Sequence, residues 1–542
     1  MSSTDLGILA IALESTTNQG RQLLLAETTV SATMSATTQP IAVSSASSHM
    51  HLHIIIKGAT ASGTVTIAGK KSDGTTAVTE TTPTIAVATS TQPSTHYCTQ
   101  ATYNSINSSG ITTTGLTGAT ITVYGILQAT KLVPVTYDPK QAFDPFNPND
   151  HRGINYHAIR WTQLNKKVTF DKFESAMYPE TDTFLGFTLF NSSPTTATVP
   201  GTPDALKTTT AVSGTPLSLT TQPTAPGELL QLVVTGTAVY GTITITGTNQ
   251  YGQAITEVVT CVGGAGTFYT QNVFASVGSG GIAITGLTSG SLAVNGFFGT
   301  KWTYLLSGTQ TLQTLCIGAF SGTETALYPF SFFESAELDM DVMKEIKVSA
   351  KIAAQDAVIV GNRSTSPMNT SRLPSLGQPF DGPVVGWNTL IYIDSLSGTA
   401  FTTAYNDLLT CKIKVATGQK PVYTATNSQL FNRVYVEGKS TDLTIDATVD
   451  FTDSVQYELF RQNVKQLVGI KFQSPYYIGN SSGPLFKYWQ FTLPLKYEMF
   501  DLDRSKEKVE AKIAGIAEYE PSLGYAAKLE ILNQIPPNYA TT

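Results

Sequence analysis

Chemistry in this chain would have to come from few residues. His49, His51 and His53 alternate in HMHLH, so they share one side of a strand, and imidazole nitrogens suit Zn or Ni. Three ligands on one strand spread over about 13 Å, too far for one ion without help across a symmetry axis. A plain exposed strand face is the expectation. His96, His151 and His157 have no evident partner of the nucleophile–base kind. No GxSxG, HExxH or P-loop occurs, and the runs GGAGT and GSGGIAITG lie in Thr-rich β sequence, where they read as turns. A polysaccharide hydrolase would need two carboxylates converging in a cleft, and no such pair stands out. No enzymatic activity, cofactor or metal is therefore expected.

The carboxylates that do form a pattern lie on strands. In LTIDATVDF, Ile445, Ala447, Val449 and Phe451 fall on one face, while Thr444, Asp446, Thr448 and Asp450 fall on the other. SAELDMDV repeats this: Leu338, Met340 and Val342 pack inward, and Glu337, Asp339 and Asp341 point away. Their partner strands bring a mixture, Lys347 and Lys351 in one, Lys508, Glu510 and Lys512 in the other.

The elements that would position these residues follow from composition. The chain has 542 residues, 13% charged and 41% hydrophobic, with 44 Gly and 26 Pro, which implies two to four domains of short strands and turns. A net charge of −6 argues against a surface that grips nucleic acid. Cys98, Cys261, Cys316 and Cys411 form no CxxC pair and read as reduced thiols of a protein made in a cytoplasm. The apolar run Leu6–Leu13 lacks a basic leader and is too short to span a membrane, so a buried strand is expected.

An internal duplication is visible. TTQP at Thr37–Pro40 returns at Thr220–Pro223, GTVTIAGKKSDGTTAVTE returns as GTITITGTNQYGQAITE, and GITTTGLTGATITVYGIL returns as GIAITGLTSGSLAVNGF. Each copy, at 31–130 and 201–304, suggests an immunoglobulin-like sandwich of seven or so strands without the disulfide. Between the copies PVTYDPKQAFDPFNPND reads as an extended arm or loop rather than a packed element, and YPETDTFLGFTLFN as a short helix. A second, fainter repeat links SFFESAELDMDV and KEIKVSAKIAAQDAVI to FTLPLKYEMF and KEKVEAKIAGIAEYE. Near the C-terminus Thr452, Asp453 or Ser454 can cap a helix over SVQYELFRQNVKQL, with Val455, Leu459, Phe460, Val464 and Leu467 at helical spacing.

The order TxDFTDxxxYELF, FTLPLKY and a closing PSLGYAAKLEILN resembles the major tail tube proteins of long-tailed, non-contractile bacteriophages. The resemblance covers about a third of the chain. It implies a mainly β (α+β) chain with two tail-tube-type domains, each with a helix, plus the two immunoglobulin-like sandwiches. The first tube domain would comprise 1–30, 131–200 and 305–375, interrupted by both insertions, and the second 376–542. It further implies a virion protein of the tail that stacks in rings, trimeric and pseudo-hexameric because each chain carries two tube domains. Its partners would be its own copies, the tape measure, terminator and distal tail proteins, and viral DNA passing without sequence-specific binding, with no membrane contact. Glu337, Asp339, Asp341, Asp446 and Asp450 would then line the lumen, where carboxylates keep phosphate from adhering. The alternative is that they face outer solvent. The arms reaching between rings would be Val133–Arg152, Met1–Gly20 and Arg363–Gly386. The competing function is a virion or cell-surface adhesin whose immunoglobulin-like units hold glycans.

Overall fold

The computed structural model describes residues between Gly7 and Pro537, apart from 14–21, 35–49, 88–93, 147–161, 180–185, 308–313, 361–382, 424–432, 437–441 and several shorter stretches. Strand dominates. Eight strands form an antiparallel wall: β1 (Lys131–Phe146), β2 (Thr162–Ala176), β3 (Thr325–Asp341), β4 (Lys347–Ala354), β5 (Leu408–Ala416), β6 (Asp442–Asp450), β7 (Pro484–Asp503) and β8 (Glu510–Ala517). Their spatial order is β1-β2-β4-β3-β5-β6-β8-β7. The order repeats after four strands, β1-β2-β4-β3 and then β5-β6-β8-β7.

The two quartets match in register as well. The β3–β4 ladder pairs Phe333 with Ile352, skips Glu334, and resumes with Ser335 opposite Lys351. The β7–β8 ladder pairs Tyr497 with Gly515, skips Glu498, and resumes with Met499 opposite Ala514. A bulge at the same step, over a glutamate both times, is a shared device for bending a strand. β3 and β7 are long because their first halves leave the wall for a second layer. There β3 pairs with Leu315–Phe320 and Val358–Ile359, and β7 with Gln466–Asn480 and Ala527–Asn533. Between the layers lies one apolar core drawn from both quartets, with Phe173, Trp302, Phe333, Ile413, Trp489 and Leu529 buried in it.

Two expectations change here. The Pro-rich stretch is no loose arm: Lys131–Phe146 is β1, paired with β2, and its register shifts at Asp138/Pro139 and Phe143/Pro145. Proline supplies no N–H to a ladder, so it is tolerated at bulges and along an edge, and both conditions hold here. The C-terminal helix is short. It spans Val455–Arg461 (α1), follows Ser454 without a side-chain cap bond, and ends where Asn463 takes φ 54°. Asn is among the few residues that adopt this left-handed conformation at a helix end. Leu467 then belongs to the strand Gln466–Asn480 and is buried there. Thr452 and Asp453 lie outside the described residues; in the earlier stretch Gly186, Leu189 and Phe190 are helical.

The duplicated sequence folds into two modules of paired antiparallel sheets. The first includes Gln22–Thr29, and Gly299–Leu306 after the second belongs to the core, paired with Thr195–Val199 and Ala527–Asn533. Their internal bonding is repeated. The Leu52 N–H donates to Thr99 Oγ1 at 2.8 Å, as the Leu230 N–H does to Thr270 Oγ1 at 2.9 Å. The Glu80 carboxylate accepts from the amides of Gln100 and Ala101, as Glu257 does from Gln271 and Asn272.

Candidate functional site

The wall has one buried face and one polar face. On β3, Ala336, Leu338 and Met340 are buried, and Glu337, Asp339 and Asp341 stand on the other side; on β6, Leu443, Ile445 and Val449 are buried, and Asp446 is exposed with Asp450 half-buried. The alternation places all five carboxylates on a single face, because the ladders join β3 to β6 through β5 alone.

The sequence reading missed β5. It offers Lys412 and Lys414 to the same face, between the acidic strands. Lys412 Nζ lies 2.6 Å from Glu337 and 3.9 Å from Asp339, and Lys414 Nζ lies 3.2 Å from Asp446. The hydrogen bond to Glu337 raises the Lys412 pKa, and the bond from Lys344 lowers that of Asp341. Such exposed pairs are screened by solvent and add little to stability. Their larger effect is on the field, since charge runs across the wall in stripes: acidic on β3, basic on β5, acidic on β6, basic at Lys512 of β8, acidic at Asp501 and Asp503 of β7. On these strands and β4 eight carboxylates stand against five lysines, which leaves the face weakly negative. Glu510 faces Asp450, and Lys347 and Lys351 carry the face onto β4. Lys508 lies outside the described residues.

The edges of the wall are the second feature. Within the chain, β3 gives its free side to β5, from Ser335 opposite Ala416 to Asp341 opposite Thr410. β7 is the counterpart of β3, yet among the described residues Met499–Asp503 pairs with β8 alone. β1 is the counterpart of β5, and among the described residues Thr136–Phe146 pairs with β2 alone. Among the described residues the chain thus contains one completed joint and the two unmatched halves of another.

The histidines are not an exposed face. His51 and His53 are buried, and His49 lies outside the described residues. His51 Nδ1 sits 2.9 Å from the Thr99 carbonyl oxygen, and His53 Nε2 sits 3.3 Å from His96 Nδ1. Burial follows from position: their strand, Met50–Lys57, is central in its sheet, and His53 borders a cleft of about 580 Å³ between the first module and Asp356–Ile359 of the core. Among the described residues no three His, Cys, Asp or Glu are arranged to hold a metal ion. His151 and His157 lie outside the described residues. The four cysteines are buried and none forms a disulfide. In the aromatic-rich stretch 473–489, Trp489 is core and Tyr476 and Tyr477 are exposed.

No protein-family model matches the chain, and no curated protein matches it. Among solved structures, the chain is similar to the PBSX exported protein XepA at 12% identity, covering 51% of this chain and 85% of that one with a TM-score of 0.15. A structure of infectious bursal disease virus, Gx strain, is similar at 11% identity, covering 66% and 78%, with a TM-score of 0.07.

Proposed function

We propose that the protein is a structural virion subunit, the building block of a phage tail tube, whose two tube domains are the two strand quartets of the wall. One observation supports this reading above the others: equivalent edges are joined inside the chain at β3–β5, and the same two edges, Met499–Asp503 of β7 and Thr136–Phe146 of β1, pair among the described residues with β8 and β2 alone. An open strand edge is a template for another strand. Repeating the joint from chain to chain curls the wall into a closed barrel. Three chains of eight strands give twenty-four, with threefold symmetry of the chains and near-sixfold symmetry of the quartets. In that barrel the weakly negative striped face is the bore, along which DNA slides, and the modules project outward as immunoglobulin-like decorations. The chain resides in the virion tail, with its own copies and the neighbouring tail proteins as partners.

The register of the joint between chains follows from the one within. Glu337 faces Lys414 across β3–β5. By the matched bulges Asp501 takes the place of Glu337, and by the matched β1–β2 and β5–β6 ladders Lys140 takes the place of Lys414. Glu337→Cys with Lys414→Cys should therefore form a disulfide within one chain, and Lys140→Cys with Asp501→Cys a disulfide between chains. On oxidation the second pair should yield covalent trimers on a denaturing gel, and electron microscopy of the protein should show hollow stacked rings. Dispersed monomers with no interchain disulfide, while the first pair oxidises normally, would favour the adhesin reading.

A further inference from the structure

The base of the second module carries a carboxyl group that the assembly reading does not use. Glu228 is fully buried, and neither of its oxygens makes a hydrogen bond of normal geometry. The Asp204 carboxylate and the amide and hydroxyl of Thr224 stand near enough to shift its ionisation without closing on it. The space is made by Gly296, which lies in register between Asp204 and Leu230: a Cβ there would come within 2.1 Å of Glu228 Oε2. A carboxylate buried without a hydrogen-bond partner and beside a second carboxylate is costly unless a cation joins them.

The duplication supplies the comparison. Met50 bonds to Tyr103 through its backbone as Glu228 does to Phe274, and Met50 Sδ lies over Gly125 as the Glu228 carboxyl lies over Gly296. A thioether fills this position in one module, so the fold does not require an acid there. We propose that Glu228, Asp204 and the Thr224 hydroxyl bind a Ca²⁺ ion at the base of the second module. All three offer hard oxygen donors, and Asp204 and Thr224 are exposed, so water completes the six to eight ligands that Ca²⁺ takes. Three protein groups and an open side put the dissociation constant on the order of 10⁻⁴ to 10⁻³ M, the class of extracellular modules. The ion would stiffen the strands Leu229–Gly236 and Gly290–Phe297, whose ladder begins at Leu229 opposite Phe297.

Amide hydrogen exchange of the full chain, with CaCl₂ or with chelator at mildly alkaline pH, tests this. At an ion concentration of about ten dissociation constants, exchange in those two strands should slow about tenfold. Their counterparts in the first module should not respond. Glu228→Met, which copies the first module, should fold and lose the response; Asp204→Asn should shift the midpoint to higher CaCl₂. Wild-type exchange indifferent to CaCl₂, or a Glu228→Met variant that still responds, overturns the proposal. So does exchange that quickens as pH rises in wild type while ignoring CaCl₂, which would mean that the two carboxyls hold a proton and nothing else.

Discussion

At the scale of residues, what separates one side of the wall from the other is a charge stripe a single strand wide. Asp446 and Asp450 make the acidic stripe between Lys412 and Lys414 on β5 and Lys512 on β8. Converting both to Lys makes three adjacent basic stripes and removes the Lys414–Asp446 pair. Stability should change by about 1 kcal/mol or less, because the side chains are at least partly exposed. Passage of DNA should change far more, since clustered cations bind phosphate with a steep dependence on salt. Ejection by particles carrying Asp446→Lys with Asp450→Lys should slow and recover as salt is raised; ejection at the wild-type rate in low salt would show that this face is not the bore.

A different logic rules the elements. β5 is bonded on both sides, to β3 and to β6, and so holds the two quartets together. Ile413 is fully buried at its middle, opposite Leu338 on one side and Ile445 on the other. Ile413→Pro removes a ladder hydrogen bond and an apolar side chain, for a loss of about 4 kcal/mol or more. The wall should part at this strand, which would appear as new proteolytic cleavage between residues 395 and 408 and as a monomer that no longer forms rings. The short helix matters less than its sequence suggested. Tyr457 and Phe460 rest on Phe500, with ring centroids at 5.4 and 5.9 Å, and no α1 residue is fully buried.

For the whole molecule, the second module should be excisable. Val199 pairs with Gly299, and the Phe298 N–H donates to the Val199 carbonyl at 2.8 Å, so the chain leaves and re-enters the core at one point. Replacing residues 200–298 with an Asn-Gly turn would make a two-residue hairpin of Thr195–Val199 and Gly299–Leu306. The shortened chain should fold and form tubes of unchanged bore and smaller outer diameter, measured by electron microscopy. Tubes that fail to form would mean that the second module takes part in the ring itself.

The sequence alone determined the period-2 strands, the facing of Glu337, Asp339, Asp341, Asp446 and Asp450 away from the core, and the duplication of the modules. These are local or self-referential properties, written in alternation and repetition along the chain. It could not show that Lys412 and Lys414 lie between those carboxylates. That depends on a pairing between strands some seventy residues apart, and no local pattern encodes a partner at that distance. Burial of His51 and His53 likewise came from a neighbouring strand on each side, and the strand character of Lys131–Phe146 from a partner that tolerates its prolines at bulges. Tertiary structure also decided that the two quartets share one register, which sequence similarity only hinted at. Side-chain period fixes which way a residue points, whereas what it meets there is fixed by the rest of the chain folding against it.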